Sequence, residues 1–437
     1  MLARRQLLEI GAMALLVPIL KAPAPVQRAA GSPRGPDAPR YLRSEDRIVF
    51  LGDSITELGN YTSLVESYLV TRYPRYSQTF FNAGWAGDTA GDAADGRWGG
   101  ASRLTRDVIT LAPNVVTICY GMNDGYYSNF DPSWLPNFTG PMSAIIDRLL
   151  QARARPVLLT PGVVDDTVPA LQWLKKITDY NNGALHLLAR EVLRIARARR
   201  LPCYDLHSLM QATLERSKKD HVDMGTDGIH PDPAGGVVMA CALLKALGVP
   251  PRQERVVLDA RGRESRASAG GSVHKQEGEH GPCFQITLRA LPCYVPSAAR
   301  KMLPYIPFIE EFNAVRLAYR GLNSNAYDLV IGMARRRHSR AELERGVLIS
   351  DMWEAPHLLQ AKAIGKLTQK KAELYRKYWR TLALPDNYIQ NPEDFDKKVH
   401  YRTELHQQGI HESLELEAER RHKAIPEPVR VELHRAN

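Results

Sequence analysis

From about residue 44 to residue 249, short apolar runs alternate with stretches of helical spacing. The runs predict strands over Ile48–Leu51, Thr79–Asn82, Val115–Tyr120, Val157–Thr160 and Pro202–Asp205. The stretches between predict helices over Tyr61–Arg72, Met142–Ala154, Trp173–Arg199 and Pro233–Leu247. Regular alternation of this kind is the signature of βαβ units. The strand candidates are apolar almost throughout rather than at every second residue. Such strands are buried on both faces, as in a parallel sheet covered by helices. The expected fold class is therefore α/β.

Beyond residue 250 the pattern changes. Residues 252 to 282 are polar and rich in Gly, Ser and charge, with Val256-Val257-Leu258 as a β-like interruption. Runs of β type follow at Cys283–Leu288, Ala314–Tyr319 and Tyr327–Ile331. After Pro356, the residues Ile364, Leu367, Leu374, Tyr375 and Tyr378 fall close to one stripe at helical spacing. Lys362, Lys366, Lys370, Lys371, Arg376 and Lys377 occupy its other faces, as on a solvated amphipathic helix. The same basic face would also suit docking to an acidic glycan or lipid surface. Residues 401 to 437 mix Glu, Arg and His in a helix-like segment before Pro426 and Pro428. The expected order is an export segment at 1–30, a linker at 31–43, an α/β domain at 44–250, and an extension at 251–437 of β-strands followed by a long helix.

The export segment is read from Arg4-Arg5 before an apolar stretch, Gly11 to Leu20, and small residues at Ala22-Pro23-Ala24 and Ala29-Ala30. Paired arginines before Leu7-Leu8 resemble a twin-arginine signal, although Glu9 interrupts the run. A disordered basic arm is the other reading. The first implies a periplasmic or extracellular protein. The apolar core is too short to span a bilayer, and no other segment approaches that length, so no stable membrane span is expected after signal removal.

Composition adds constraints. The chain has 437 residues, 44% hydrophobic and 24% charged, which is ordinary for a globular protein with a real core. Its formal net charge of +10 comes without a zinc-finger, homeodomain or RNA-binding signature, so no nucleic-acid partner is expected. The five cysteines form no CxxC pair, which argues against structural zinc. Cys119, Cys203 and Cys241 lie in apolar runs and read as small buried hydrophobes. Cys283 and Cys293 could pair in an exported protein.

Candidate chemistry sits at the ends of the predicted strands. Gly52-Asp53-Ser54-Ile55 follows the first strand and puts a hydroxyl at its carboxyl end, where open α/β sheets bind ligands. Thr56 stands where a G-x-S-x-G elbow needs its second glycine, which disfavours the α/β-hydrolase elbow. Alone, Ser54 could equally cap a helix. The second strand leads into Asn82-Ala83-Gly84-Trp85-Ala86-Gly87-Asp88-Thr89, and a glycine there brings its N–H close to a ligand oxygen. The third leads into Gly121-Met122-Asn123-Asp124, whose Asn amide can point at the same pocket. Two such donors plus the serine N–H would make an oxyanion hole. Asp227-Gly228-Ile229-His230-Pro231 then supplies a carboxylate able to fix one imidazole nitrogen while the other faces the serine.

Taken together, these four blocks resemble the SGNH (GDSL-type) hydrolase family over roughly residues 44 to 249. The resemblance implies a flavodoxin-like three-layer α/β/α fold and ester hydrolysis without metal or cofactor. It implies Ser54 as nucleophile, His230 as base and then acid, and Asp227 as the triad acid. The Ser54 N–H, Gly87 and Asn123 would form the oxyanion hole, with Gly84 the competing donor in its block. Among aromatics near these loops (Trp85, Trp98, Tyr120, Tyr126, Tyr127), Trp85 and Tyr126 are the candidates for substrate binding. His207 and His221 read as structural or surface residues. The expected function is removal of a short acyl group, acetyl above all, from a carbohydrate or similar small polar ester. A lysophospholipase or thioesterase acting on longer chains, and a non-catalytic glycan-binding protein on the same fold, are the alternatives.

Overall fold

The computed structural model describes residues 38–95, 102–177, 179–225, 227–261, 265–268, 270–382 and 395–436. The expected export segment lies outside them, as does most of the expected linker. Pro39–Asn437 form one compact unit.

The first half builds five strands: β1 (Arg47–Gly52), β2 (Thr79–Gly84), β3 (Val115–Cys119), β4 (Arg155–Leu159) and β5 (Cys203–Tyr204). All pair in parallel, in the order β2-β1-β3-β4-β5. Alternate residues feed two cores, as the pleat requires. Ile48 and Phe50 enter one, Val49 and Leu51 the other. The first core is closed by α1 (Ser54–Leu58), α2 (Asn60–Arg72) and, later in the chain, Leu206–Ser217 and Pro233–Ala246. The second is closed by α3 (Ala90–Asp95), α4 (Leu135–Gln151) and α5 (His186–Arg199), with Leu206–Ser217 and Pro233–Ala246 numbered α6 and α7. This is the flavodoxin-like strand order, and its switch point lies between β1 and β3, where a crevice opens at the strands' carboxyl ends.

Two helices depart from expectation. The continuous helix predicted over Trp173–Arg199 is broken: a 3-10 stretch at Pro169–Lys176 and a π turn at Asn181–Leu185 precede α5. Asp179 stands at φ +46° and its carboxylate accepts the N–H of Asn182 at 3.1 Å. The Asn181 amide is meanwhile spent on both backbone groups of Val164. Asp and Asn side chains that bond backbone in this way favour turns over helix. The helix expected from Met142 begins at Leu135 instead and carries Pro141 inside it.

The extension differs more. Its strands are β6 (Gln253–Asp259), β7 (Arg266–Ala267), β8 (Ser272–Gln276), β9 (Cys283–Thr287), β10 (Ala314–Arg320), β11 (Ala326–Ile331), β12 (Ala334–Ser339), β13 (Val347–Leu348) and β14 (Val429–Arg435). They form a four-stranded sheet, β13-β10-β6-β7, and a five-stranded one, β12-β11-β14-β9-β8. Both sheets contribute to one apolar core. Its helices are α8 (Ser297–Arg300), α9 (Arg340–Arg345), α10 (Pro356–Arg376) and α11 (Phe395–Lys423). The long helix expected after Pro356 is α10; it packs against α11, the helix of the tail, and also lies on α2. Lys371, expected on a solvated face, is buried. The tail does form a helix before Pro426, but its last residues make β14, the middle strand of its sheet. Val429, Val431 and Leu433 alternate inward along it, a period-two signal. Cys283 and Cys293 are both free thiols, and both are buried. No helix among the described residues is long and apolar enough to cross a membrane.

Candidate active site

The site forms at the carboxyl ends of β1, β2 and β3. Asp53, not Ser54, caps α1: its carboxylate accepts the N–H of Ile55 at 2.9 Å. Ser54 becomes the first helical residue, and its hydroxyl is left for another partner. That partner is His230, whose Nε2 lies 2.8 Å from Ser54 Oγ. His230 Nδ1 lies 2.7 Å from Asp227 Oδ2. The other Asp227 oxygen accepts the backbone N–H groups of Ile229 at 2.9 Å and His230 at 2.7 Å. Burial pushes the Asp227 carboxyl up, but these hydrogen bonds and the imidazole outweigh it and hold the group below its ordinary range. Asp232 caps α7 two residues later, accepting from Ala234 N–H, so His230 is fixed just ahead of a helix. Asn60 Nδ2 anchors the same loop through the Pro231 carbonyl at 2.8 Å.

The two loops proposed for oxyanion donors meet each other. Asn123 Nδ2 donates to the Asp88 carbonyl at 2.9 Å, and Tyr127 Oη donates to Asn123 Oδ1 at 3.3 Å. The amide is thereby oriented, and its second N–H is available. Gly87 stands at φ +74°, and an added Cβ would meet nothing within 4 Å. That conformation suits glycine, and the space on its Cβ side is open. Gly84 is different. Its N–H is already held by Asn82 Oδ1 at 2.9 Å, and a Cβ there would lie 2.2 Å from the Glu57 nitrogen. The lack of a side chain at Gly84 lets β2 close on α1, and its N–H is already engaged.

Residues 50–236 match the GDSL-like Lipase/Acylhydrolase family, a span holding all the blocks above. This segment is a GDSL-like hydrolase domain. No curated protein matches the chain in sequence. Among solved structures, a gut microbial diltiazem-metabolizing enzyme is similar at 22% identity, covering 90% of this chain and 98% of that one, with a TM-score of 0.75. The likeness of fold thus extends through most of the extension. An acetylxylan esterase from Geobacillus stearothermophilus, solved as a catalytic mutant, aligns at 20% identity over 48% of this chain and 96% of its own, with a TM-score of 0.37.

Within the GDSL-like domain, a residue without any local signal stands under the site. Arg103 is buried and donates to the Ala83 carbonyl at 2.8 Å, the Asp88 carboxylate at 3.0 Å and the Tyr120 hydroxyl at 2.7 Å. It thereby ties the ends of β2 and β3 to the Gly87 loop. Burial alone would weaken its hold on a proton, but Tyr120, Asp88 and Asp107 outweigh that and raise its pKa. Sequence reasoning missed Arg103 because nothing in Ser-Arg-Leu-Thr-Arg marks one arginine over the other. Tyr126 is exposed, stands at φ +53° and meets Trp134 edge-on. It borders a cavity of about 330 Å³ that Thr89, Asp92, Asp124, Asn137 and Phe138 also line. Trp85 is half-buried, with Arg103 and Arg106 over its ring, and packs on Trp379 of the extension. Trp98 lies outside the described residues. His207 is buried, with Nδ1 3.0 Å from the Gly162 carbonyl, and His221 is exposed. Among the described residues no cluster of His, Cys, Asp and Glu is arranged to hold a metal ion.

Proposed function

We propose that this esterase-family protein hydrolyses short-chain esters of small polar substrates, carbohydrates among them, by a Ser54–His230–Asp227 triad. The observation that carries the reading is the unbroken row from Ser54 Oγ through both His230 nitrogens to Asp227, at 2.8 and 2.7 Å. Ser54 Oγ attacks the acyl carbonyl carbon and its proton passes to His230 Nε2. Asp227 holds the Nδ1–H and stabilises the imidazolium. The tetrahedral oxyanion is received by the N–H groups of Ser54 and Gly87 and by Asn123 Nδ2. Collapse expels the alcohol, which takes the proton from His230. Water then repeats the sequence on the acyl-serine, with His230 again the base.

A polar substrate is the reading that fits the cavity lined by Thr89 and Asp124, which follow Gly87 and Asn123 in the chain, although no triad or donor residue lines it. Carboxylates, an amide and a hydroxyl make up most of its lining, with Tyr126 and Phe138 as its aromatic members. Its volume is at the low end for small-molecule sites, which run from about 300 to 1,000 Å³. Purified protein should hydrolyse p-nitrophenyl acetate faster than the octanoate, and Ser54→Ala should abolish both. Equal rates in wild type and Ser54→Ala would overturn the triad. A rate rising with chain length would overturn the short-chain preference and favour a lysophospholipase or thioesterase.

A further inference from the structure

The extension touches the oxyanion-side loop at two points. Trp379 lies in the π turn Lys377–Leu382 that continues α10, and is buried. Its ring meets Trp85 edge-on at 5.7 Å and stacks on Tyr375 at 6.0 Å. Its Nε1–H points at Asp107 Oδ1, 3.3 Å away. One turn earlier, Arg376 Nη2 lies 3.4 Å from Glu57 Oε1. The other oxygen of Glu57 accepts the N–H of Ala86 at 2.7 Å. Trp85 and Ala86 are the two residues before Gly87, so both are braced by contacts that end in the extension. On the far side of Gly87, Asp88 is fixed by Arg103 and by the Tyr120 hydroxyl at 2.6 Å. Gly87 has no side chain of its own to hold it and stands in open space. The direction of its N–H is therefore set by its neighbours.

We propose that Trp379, with Arg376 in support, is a positioning residue for the Gly87 oxyanion donor, so that a segment outside the GDSL-like domain tunes the reaction. The inference rests on the ester-hydrolase reading above. A donor matters to rate only if it is aimed where charge develops. Misplacement of a group by about 1 Å can cost about 100-fold. Loosening one side of the loop weakens the transition state and leaves ground-state binding intact, so the loss falls on kcat rather than KM.

The test uses the full chain, with active sites counted by endpoint fluorophosphonate labelling so that unfolded molecules drop out. In Trp379→Ala, kcat per labelled site should fall on the order of tenfold with KM unchanged. Affinity for a boronic acid, which mimics the tetrahedral state, should fall by the same factor. Trp379→Phe should restore most of both, and Arg376→Met should give a smaller loss of the same kind. Wild-type kcat per labelled site in Trp379→Ala, or a raised KM at constant kcat, overturns the proposal. Ser54→Ala is run alongside. If it turns over like wild type, the Ser54 triad reading fails and takes this inference with it. If it is inactive while Trp379→Ala is normal per site, only the positioning role fails.

Discussion

Two groups of charged side chains in this molecule are built in opposite ways. Where α10 and α11 meet α2, Lys371, Glu66, Glu417 and Arg420 are all buried, none with more than 8% of its side chain exposed. Arg420 reaches Glu66 and Glu417 at 2.6 Å each, Lys371 reaches Glu417 at 2.9 Å and also pairs with Glu66, and the Thr368 hydroxyl accepts from Arg420. Two buried cations face two buried anions, and Arg421, 30% exposed, adds a third cation 3.8 Å from Glu417. Burial pushes the Glu417 carboxyl up, but Lys371 and Arg420 outweigh it and hold the group ionised. In the candidate triad, by contrast, Asp227 keeps 49% of its side chain exposed and His230 32%. The seam must never change charge, because removing one partner strands another in a medium that solvates it poorly. The triad must change charge at every turnover, and partial access to water keeps that affordable.

Three measurements press on this contrast, the largest effect first. Asp227→Asn should lower kcat by about 10⁴, the scale of losing the tautomer-fixing carboxylate, while the melting temperature stays near wild type. A large fall in melting temperature would mean that Asp227 is structural too, and the contrast would break. Lys371→Met should do the reverse. It leaves two buried carboxylates on one buried arginine, with only the part-exposed Arg421 besides, and should cost about 3–5 kcal/mol in urea denaturation. Adding Glu417→Gln should recover part of that loss, since it removes one of the stranded charges. Strict additivity of the two would show that the seam is not a network.

The smallest effect is a pH slope. Asp53 is fully buried beneath the site, and burial first, then Asp124 and Asp88, raises its carboxyl from 3.8 to about 7. Between those values the unfolded chain has lost the proton while the folded protein keeps it. Stability from this group therefore falls as pH rises from 3.8 to about 7. Asp53→Asn can still accept the Ile55 N–H and should flatten the decline in melting temperature across that window. An unchanged slope would mean that other groups carry it.

Much of the α/β sheet was legible because its signal is local. Apolar runs of strand length mark the strands, and the first three, which end in glycine- or asparagine-bearing loops, mark the edge where Ser54, Gly87 and Asn123 lie. The three-residue step from Asp227 to His230 is equally local, and the structure closes it with two hydrogen bonds beyond the imidazole contact. The break before α5 was missed although its cause is local, since Asp179, Asn181 and Asn182 interrupt an otherwise convincing helical period. The strand β14 was missed because only seven residues at the end of a charged helix carry its alternation.

By itself, then, the sequence determined the elements whose reason lies within a dozen residues: the parallel strands, most of the helices over them, and the loops that bear the candidate chemistry. Tertiary structure alone decided what depends on a partner far along the chain. Arg103 gains its place from Ala83, Asp88 and Tyr120, and Lys371 its burial from Glu66, 305 positions away. Trp379 reaches Trp85 only because α10 is laid across α2. Periodicity reports which face of an element is apolar, but the identity of the surface that covers it is settled by packing, and packing is a property of the whole chain.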